Sequence, residues 1–238
     1  MKIEVKSLSK AFDKKLVLDD ISISVNQGEM LCLLGPSGAG KTTLIRSIIG
    51  ALKTDQGEIF IDGKQVPNRN IMYDIGFMPQ EDALYKDLTG YGNLKFFGSL
   101  YSMKGKELKN RTLELLELMG LTKDKDITVY NYSGGMKKRL SLAIALLHNP
   151  KFLLLDEPTV GIDPLLRKSI WDKFYELKEQ GCCLIISTHV MDEAEKCERV
   201  ALIYDGKILY DDKTYNLIKK TKHGSLEELF FMAKEETI

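Results

Sequence analysis

The sequence predicts an α/β fold with a largely parallel β-sheet, and three observations carry this prediction. Short apolar runs typical of buried strands alternate with amphipathic segments at helical spacing. A glycine-rich turn at residues 35–42 lies between one such run and a helical segment. The chain has 238 residues, of which 44% are hydrophobic and 29% charged, a balance typical of globular proteins. The predicted strands are "MLCLLG", "DIGFM", "KFLLLDE", "CCLIIST" and "VALIY".

An antiparallel patch is expected beside the parallel strands. The amino-terminal segment "MKIEVKSLSK" alternates as a strand does and has no apolar stretch suited to a secretion signal. Two further segments, "GEIFIDGKQV" and "VALIYDGKILY", place Asp-Gly between alternating residues, which predicts a tight hairpin in each.

Three helices are predicted from apolar spacing. The first follows the glycine-rich turn, the second follows a glycine pair, and the third begins with Asp163 as N-cap and Pro164 in its first turn. Their apolar faces are Leu44, Ile45, Ile48, Ile49 and Leu52; then Leu140, Ala143, Ile144 and Leu147; then Leu166, Ile170, Phe174 and Leu177.

Strand signals are absent from about residue 82 to 147, which predicts a helical insert. We therefore expect a single domain over 1–238 with three parts. They are an α/β core at 1–81 and 148–212, a helical subdomain at 82–147, and a helical tail at 213–238.

Composition argues against several classes of partner. Lysine and arginine total 34 and acidic residues also total 34, so no bulk positive field attracts nucleic acid. The most apolar segment is interrupted at 148–151, so the chain is not expected to cross a bilayer.

The four cysteines lack the spacing of a metal site and are expected to be reduced and buried. They are Cys32, Cys182, Cys183 and Cys197.

The segment "GPSGAGKT" has the spacing of a nucleotide phosphate loop between a strand and a helix. Its glycines let backbone amides point at phosphate oxygens. Lys41 would reach the β and γ phosphates, and the Thr42 hydroxyl would bind Mg²⁺. The alternative is a glycine-rich turn matched by chance. The predicted nucleotide-binding residues here are Gly35, Pro36, Ser37, Gly38, Ala39, Gly40, Lys41, Thr42 and Thr43.

Polar residues end three of the predicted strands. Asp156 could hold Mg²⁺, and Glu157 could accept a proton from an attacking water, unless both simply cap the turn "EPTVG". Gln80 could coordinate the metal or the water, and His189 could hydrogen-bond the γ phosphate, although a lone histidine is more often structural. His148, in a turn, is interpreted as structural.

A second anion cradle is predicted in "YNYSGGMKKRL". Ser133 is a good N-cap, Gly134 and Gly135 expose amides, and the helix dipole adds partial positive charge. Because the chain already has a phosphate loop, this cradle would serve a nucleotide held by another copy in a head-to-tail dimer. The alternative is an ordinary capped helix with a basic surface.

These motifs resemble those of the nucleotide-binding subunit of ABC transporters, in that family's order and over nearly the whole chain. "GPSGAGKTT" resembles the Walker A loop, Gln80 the Q-loop residue and "YSGGM" the signature. "FLLLDE" resembles the Walker B segment, "GID", which ends at Asp163, the D-loop, and His189 the switch histidine.

The resemblance implies a RecA-like P-loop NTPase core with an antiparallel β subdomain and a helical insert. It implies an ATPase that binds ATP and Mg²⁺, with Glu157 as general base and His189 as γ-phosphate sensor. Phe12 would stack on adenine, although it could be only a half-buried strand residue. Ser133 and Gly135 would contact the γ phosphate held by a second copy or a paralogous subunit.

A membrane partner is also implied. The segment "EDALYKDLTGYGNLKFFGSLY" would face an integral-membrane permease, which would hold the chain at the inner face of the cell membrane. Its aromatic residues suit an interface, although Phe96 and Phe97 could equally pack inside the insert. The aromatic residues are Tyr85, Tyr91, Phe96, Phe97 and Tyr101.

The signature departs from the family's commonest form at two positions. Tyr132 stands where Leu is usual, and Met136 stands where Gln is usual, which puts a hydrogen bond from that Gln in doubt. Together with "DPLLR" and "GSLEELFF", this form is most similar to ABC-2-type exporters, so export is expected. The weighed alternatives are a soluble ABC ATPase acting on DNA or ribosomes, a non-hydrolysing regulatory module, and a small-molecule kinase.

Overall fold

The computed structural model describes residues 1–13, 15–81 and 83–236, and the chain divides into two compact units. The first unit comprises Met1–Asn68 and Cys183–Ile238, and the second comprises Arg69–Cys182.

Two predicted boundaries fall outside the described residues: Asp82, where the insert was expected to begin, and residues 237–238 of the tail. The three-part organisation expected from the sequence stays a prediction.

The strands and helices follow in chain order. The strands are β1 (Lys2–Phe12), β2 (Lys15–Asn26), β3 (Met30–Leu34), β4 (Gln56–Ile61), β5 (Lys64–Gln65), β6 (Ile75–Met78), β7 (Phe152–Asp156), β8 (Cys183–Thr188), β9 (Arg199–Tyr204) and β10 (Lys207–Lys213). The helices are α1 (Lys41–Ile48), α2 (Arg69–Met72), α3 (Gly90–Leu100), α4 (Gly105–Leu118), α5 (Gly134–Leu146), α6 (Pro164–Glu179), α7 (Met191–Ala194), α8 (Thr214–Lys220) and α9 (Glu227–Glu236).

Parallel strands form the buried centre of each unit. In the first unit β3 pairs in parallel with both β8 and β9, and every residue of β3 and β8 is buried. In the second unit β6 pairs in parallel with β7, which is buried along its whole length. Strands buried on both faces read as continuous apolar runs, which is why the sequence pattern identified them.

The antiparallel patch lies in the first unit, where β2, β1, β4 and β5 form one sheet in that order. Both predicted Asp-Gly hairpins are confirmed. Asp62 and Gly63 join β4 to β5 with φ angles of 51° and 74°, and Asp205 and Gly206 join β9 to β10 with 45° and 78°. Two successive positive φ angles are what a tight hairpin requires, and Asp-Gly tolerates them.

Helices dominate the stretch predicted to lack strands. Between residues 83 and 147 the described chain forms α3, α4, α5 and two short 3₁₀ turns, with an isolated bridge between Thr89 and Thr128. Thr89 caps α3 by accepting a hydrogen bond from the Gly92 amide at 2.9 Å.

All four cysteines are buried free thiols, as predicted. Burial raises the pKa of Cys182 to about 12, so this thiol stays protonated at neutral pH. None of the helices in the described part of the chain has the length and apolar character needed to span a bilayer.

Candidate functional site

The predicted phosphate loop joins β3 to α1 in the first unit, and its neighbours require glycine at two positions. A Cβ at Gly35 would collide with the Ile203 carbonyl oxygen. Gly40 has a φ of 108°, and a Cβ there would lie 2.8 Å from the Val17 carbonyl oxygen. The loop is therefore packed tightly against the backbone of β9 and β2.

Lys41 begins α1 and is only 5% exposed. Its Nζ donates to the carbonyl oxygens of Gly35 at 2.7 Å and Pro36 at 2.9 Å, so the ammonium group is held inside the curl of the loop. Gly40 supplies no side-chain cap, and the first-turn amides of a helix have no acceptor within the helix. The helix start thus offers both amide donors and a cation to an anion.

His189 lies at the same strand edge as the phosphate loop. β3 and β8 run in register, and the Gly35 amide donates to the Thr188 carbonyl oxygen at 3.4 Å. Thr188 also donates its hydroxyl to the buried Glu193 carboxylate at 2.7 Å and accepts from the Val190 amide at 3.0 Å. These bonds fix the backbone on both sides of the exposed His189; Glu193 was not identified from the sequence.

Phe12 ends β1 with its ring 46% exposed, so it is neither a core residue nor fully free. The Lys10 ammonium lies 5.5 Å from the ring centroid. Phe12 pairs with Lys15 at the start of β2, the strand whose Val17 lies against Gly40. The exposed ring is thus carried by the hairpin that borders the phosphate loop.

In the second unit, β6 and β7 end at the same edge of the sheet, where the predicted metal and base residues follow. Met78 at the end of β6 pairs with Leu155, and Gln80 and Glu157 each come two residues after this pair in their own segments. Asp156 is 1% exposed, Glu157 is half-buried and Gln80 is exposed. The sequence-predicted residues at these two strand ends therefore share one edge.

Glu157 has an unusual backbone conformation. Its φ of 52° lies in the left-handed region, which costs a non-glycine residue about 1 kcal/mol or more. Such strain persists only where the surrounding structure imposes it, and it clusters at functional sites.

The predicted magnesium ligands have the right chemistry for that ion. Thr42, Gln80 and Asp156 offer a hydroxyl, an amide and a carboxylate oxygen, and Mg²⁺ prefers oxygen ligands. Among the described residues no group of three or more His, Cys, Asp or Glu could hold a metal. Mg²⁺ usually needs no such cage because it is bound through one or two carboxylates plus substrate phosphates.

The second glycine turn opens α5 in the second unit, and its N-cap prediction is confirmed. The Ser133 Oγ accepts a hydrogen bond from the Met136 amide at 3.2 Å. A Cβ at Gly134 would meet nothing within 4 Å, and one at Gly135 would only reach the Gly161 carbonyl oxygen at 4.0 Å. Within its own unit this turn faces open space.

Two of the three cations after the turn contact the backbone of the second unit. Lys138 donates to the Val160 carbonyl oxygen at 2.8 Å, and Arg139 donates to that of Met119 at 2.8 Å. These two cations therefore bind the backbone of their own unit.

Asp163 has a local task that the structure shows directly. Its Oδ1 accepts from the Leu166 amide at 3.0 Å, which makes it the N-cap of α6, followed by Pro164 as predicted. Its predicted contact with a nucleotide stays a prediction.

Comparison with known sequences gives the family. Residues 18–160 match the profile described as ABC transporter, which covers more than half of the chain. The chain belongs to the ABC transporter family. It is an ATP-binding cassette, the ATPase component of such transporters.

Curated members of the ABC transporter family align over most of this chain. The Bacillus subtilis linearmycin resistance ATP-binding protein LnrL is 40% identical over 87% of the chain and 68% of its own length. A Rhizobium Nod factor export ATP-binding protein I is 37% identical over 96% of the chain and 76% of its own. ABC transporter G family member 20 of Dictyostelium discoideum is 39% identical over 96%, but the chain spans only 32% of that protein.

Solved ABC cassettes share the fold. The ATP-binding subunit of an ABC transporter superposes with a TM-score of 0.89 at 28% identity, covering 98% of this chain and 99% of that one. A dimeric cassette in a post-hydrolysis state with ADP and Pi superposes at 0.82 with 28% identity, covering 89% and 98%. The predicted fold class is confirmed.

The departure at Tyr132 from the usual ABC signature has a structural explanation. Tyr132 is buried, and its hydroxyl donates to the Asp124 carbonyl oxygen at 2.8 Å. Gly90 at the start of α3 makes room, because a Cβ there would collide with the Tyr132 hydroxyl. Met136 keeps the cap through its backbone amide, which needs no side-chain donor.

His148 of the cassette is structural, as interpreted from the sequence. Its Nε2 lies 3.0 Å from the Ile75 carbonyl oxygen, and its ring stacks on Tyr101 with centroids 3.7 Å apart. Burial lowers the pKa of His148 from 6.5 to about 4, with the bond to Ile75 acting in the opposite direction.

Proposed function

We propose that this cassette is the ATP-hydrolysing subunit of an exporter, pairing head-to-tail around two ATP·Mg²⁺ and driving an integral-membrane permease. One contrast carries the proposal: the first glycine turn is filled by its own lysine, whereas the second faces open space. Two relatives support export, since one is named for Nod factor export and the other for linearmycin resistance.

ATP binding begins with displacement of an internal contact. Lys41 donates to two loop carbonyls, and phosphate oxygens would replace these acceptors. The amides from Gly38 to Thr43 would then surround the phosphates, and the Phe12 ring would cover adenine.

Mg²⁺ would be held by Thr42, Gln80 and Asp156 together with phosphate oxygens. When bound, the ion neutralises charge on the transferred phosphate.

Glu157 is proposed to take a proton from the attacking water, and His189 to donate a hydrogen bond to the γ phosphate. The left-handed φ of 52° at Glu157 takes the backbone out of the extended conformation of β7. The Thr188 bonds to Glu193 and Val190 would keep His189 at the loop edge as ATP turns over.

The second glycine turn is proposed to bind the γ phosphate of ATP held by the partner cassette. Ser133 keeps its cap while it and Gly135 present donors, and the unobstructed face at Gly134 leaves room for a phosphate. Neighbouring Asp163 would meet the same nucleotide. The partner would be a second copy or a paralogous subunit.

The permease is proposed to dock on an apolar surface of the second unit formed by Tyr85, Leu88, Ile127 and Tyr130, all of which are exposed. Backbone bonds hold this surface together: the Val129 amide donates to Leu88, and the Tyr130 amide donates to Lys86, both at 2.9 Å. Sequence reasoning pointed to Tyr85 and its segment but missed the second strip at 127–130.

Buried Asn93 would hold the proposed docking surface in place through two hydrogen bonds to Tyr85. Its side chain accepts from the Tyr85 amide and donates to the Tyr85 carbonyl oxygen, both at 2.9 Å. Phe96 and Phe97 are half-buried; Phe96 packs edge-on against both Tyr85 and Phe97, and Phe97 packs at a tilt against Tyr85. Docking here would keep the cassette at the inner face of the cell membrane.

Glu157→Gln tests the proposal. The variant should bind ATP, stall hydrolysis by about 100-fold or more, and elute as a dimer in size-exclusion chromatography with ATP but not ADP. Glu195→Gln removes an exposed carboxylate of the first unit and should behave as wild type. Normal turnover by Glu157→Gln would refute the base assignment.

A pull-down of the tagged chain from gently solubilised native membranes tests the permease. Recovery of a polytopic membrane protein supports the proposal, and Tyr130→Asp should abolish that recovery. Recovery of ribosomes or DNA-repair proteins instead would overturn export while leaving the ATPase activity intact.

A further inference from the structure

The end of β1 that carries Phe12 is held by an acidic side chain from the loop before β4. The last residue pair between β1 and β4 is Ser9 with Gln56, and the Asp55 amide donates to the Ser9 carbonyl oxygen at 3.1 Å. Beyond that pair the contact is made by a side chain, because the Asp55 Oδ2 accepts from the Ala11 amide at 2.7 Å. Asp55 thus extends the contact along β1 to the residue next to Phe12.

The same carboxylate binds the cation that lies over the Phe12 ring. The Asp55 Oδ1 accepts from the Lys10 ammonium at 2.8 Å, and that ammonium lies 5.5 Å from the ring centroid. The Lys10 side chain is only 14% exposed, so its charge is largely enclosed by these neighbours. The Ala11 amide and the Lys10 ammonium lower the pKa of Asp55 from its usual value, so the carboxylate is ionised at neutral pH.

This arrangement fixes the Phe12 ring and still leaves it surface for a base. The ammonium lies over one face of the ring, where cation and ring attract each other. The ring nevertheless keeps exposed surface on which a base can stack. A side chain that is already ordered in the free protein loses less conformational entropy on binding, so fixing the ring favours binding of the nucleotide.

We infer that Asp55 is a positioning residue for the nucleotide base: its carboxylate fixes the Ala11 backbone and the Lys10 ammonium, and through both it orients the Phe12 ring. The inference rests on the proposed function, in which Phe12 covers adenine. Because Asp55 would act through the ring, it should affect binding of a nucleotide but not of a phosphate chain without a base. The residue lies between α1 and β4, outside every motif identified from the sequence.

Asp55→Ala tests the inference because it removes both acceptors. The KM for ATP and the Kd of a fluorescent ATP analogue should rise about fivefold, against about tenfold in Phe12→Ala, with kcat at saturating ATP unchanged. Inorganic triphosphate, which has no base, should displace the analogue with the wild-type inhibition constant. The control Asp62→Asn changes an exposed carboxylate in the hairpin between β4 and β5 and should match wild type.

Two further variants show whether Asp55 acts through the ring. In a Phe12→Ala background, Asp55→Ala should cause no additional loss of ATP affinity, because changes that act through one shared contact do not add. Asp55→Asn keeps an oxygen acceptor for the Ala11 amide but loses the charge that binds Lys10, so its loss should be smaller, about twofold. Asparagine also keeps the shape of the side chain, so this variant allows the same measurements if Asp55→Ala does not fold.

The outcomes separate this inference from the proposed function. Wild-type ATP affinity in the Asp55 variants, while Phe12→Ala binds ATP weakly, would overturn the inference alone. Equal losses for ATP and inorganic triphosphate, or a full additional loss in the Phe12→Ala background, would also overturn it, since Asp55 would then act on something other than the ring. Wild-type ATP affinity in Phe12→Ala would remove the adenine contact of the proposed function and the inference with it.

Discussion

The two glycine turns have similar sequences but opposite surroundings. In the first, neighbouring backbone excludes any side chain at Gly35 and Gly40, and the buried ammonium of Lys41 occupies the curl. In the second, Gly134 faces open space, and Lys138 is turned away towards a backbone carbonyl. A helix start preceded by glycine is thus a complete phosphate site only when the surrounding chain supplies the cation and the walls.

Removal of the Lys41 ammonium group, which only the first glycine turn contains, should have the largest effect on ATP binding. Lys41→Ala should weaken ATP binding by about 100-fold, the loss expected for one strong charged hydrogen bond, and abolish turnover. Binding of a fluorescent ATP analogue measures it. Lys53→Ala, which removes an exposed lysine beyond α1, should leave affinity unchanged, and equal ATP affinity in Lys41→Ala would contradict the phosphate-loop role.

A glycine-to-alanine substitution should change the free energy of unfolding differently in the two glycine turns. Gly35→Ala forces an overlap with backbone and should lower the free energy of unfolding by about 1–3 kcal/mol. Gly134→Ala has room and a helical position, so it should leave stability unchanged or raise it by up to about 1 kcal/mol. Denaturant unfolding measures both values.

Although Gly134→Ala should not lower stability, it should weaken ATP-dependent dimerisation. Its methyl group would occupy the face offered to the partner's phosphate, so ATP-dependent dimerisation should weaken about tenfold in a stably folded protein. Wild-type dimerisation in this variant would show that the second turn is only a capped helix.

Lowering the pH should destabilise the second unit but not the first through one residue, His148, which lies just beyond α5. Because the folded-state pKa of about 4 lies below the ordinary 6.5, the unfolded chain takes up the proton first as pH falls. The contribution of neutral His148 to the free energy of unfolding is fully present above pH 6.5. It declines towards pH 4 by up to about 3 kcal/mol.

His148→Phe isolates this effect, since phenylalanine keeps the stacking on Tyr101 and cannot bind a proton. The difference in unfolding free energy between variant and wild type should shrink or reverse from pH 7 to pH 4.5. A difference that is constant with pH would show that folding does not lower the pKa of His148.

Much of the fold was predictable because its signals are local. Buried parallel strands read as apolar runs, and the Asp-Gly turns require positive φ angles that these residues tolerate. The long strand β2 was missed because "KLVLDDISISVN" interrupts its alternation with two acids. Caps at Ser133 and Asp163 were predicted because capping depends on a residue and its own next turn.

Contacts between distant segments could not be predicted in the same way. Lys138 meets Val160, 22 residues away, because tertiary packing brings them together, and even Thr188 and Glu193 meet only through the turn between β8 and α7. Neither pair has a distinctive spacing, and a lysine that binds a carbonyl has the same sequence signature as one in solvent. For the same reason the sequence did not indicate that residues 127–130 lie beside the segment at 86–88, which they join through long-range backbone bonds.

The Tyr132 hydroxyl fills the space that a side chain at position 90 would need, so the residues tolerated at the two positions depend on each other. A lineage that replaces Tyr132 with leucine frees position 90 to drift to alanine, and that drift then blocks the return to tyrosine. Tyrosine therefore fits at position 132 only when glycine is already present at position 90. In reconstructed ancestors of this branch, Gly90 should appear before Tyr132.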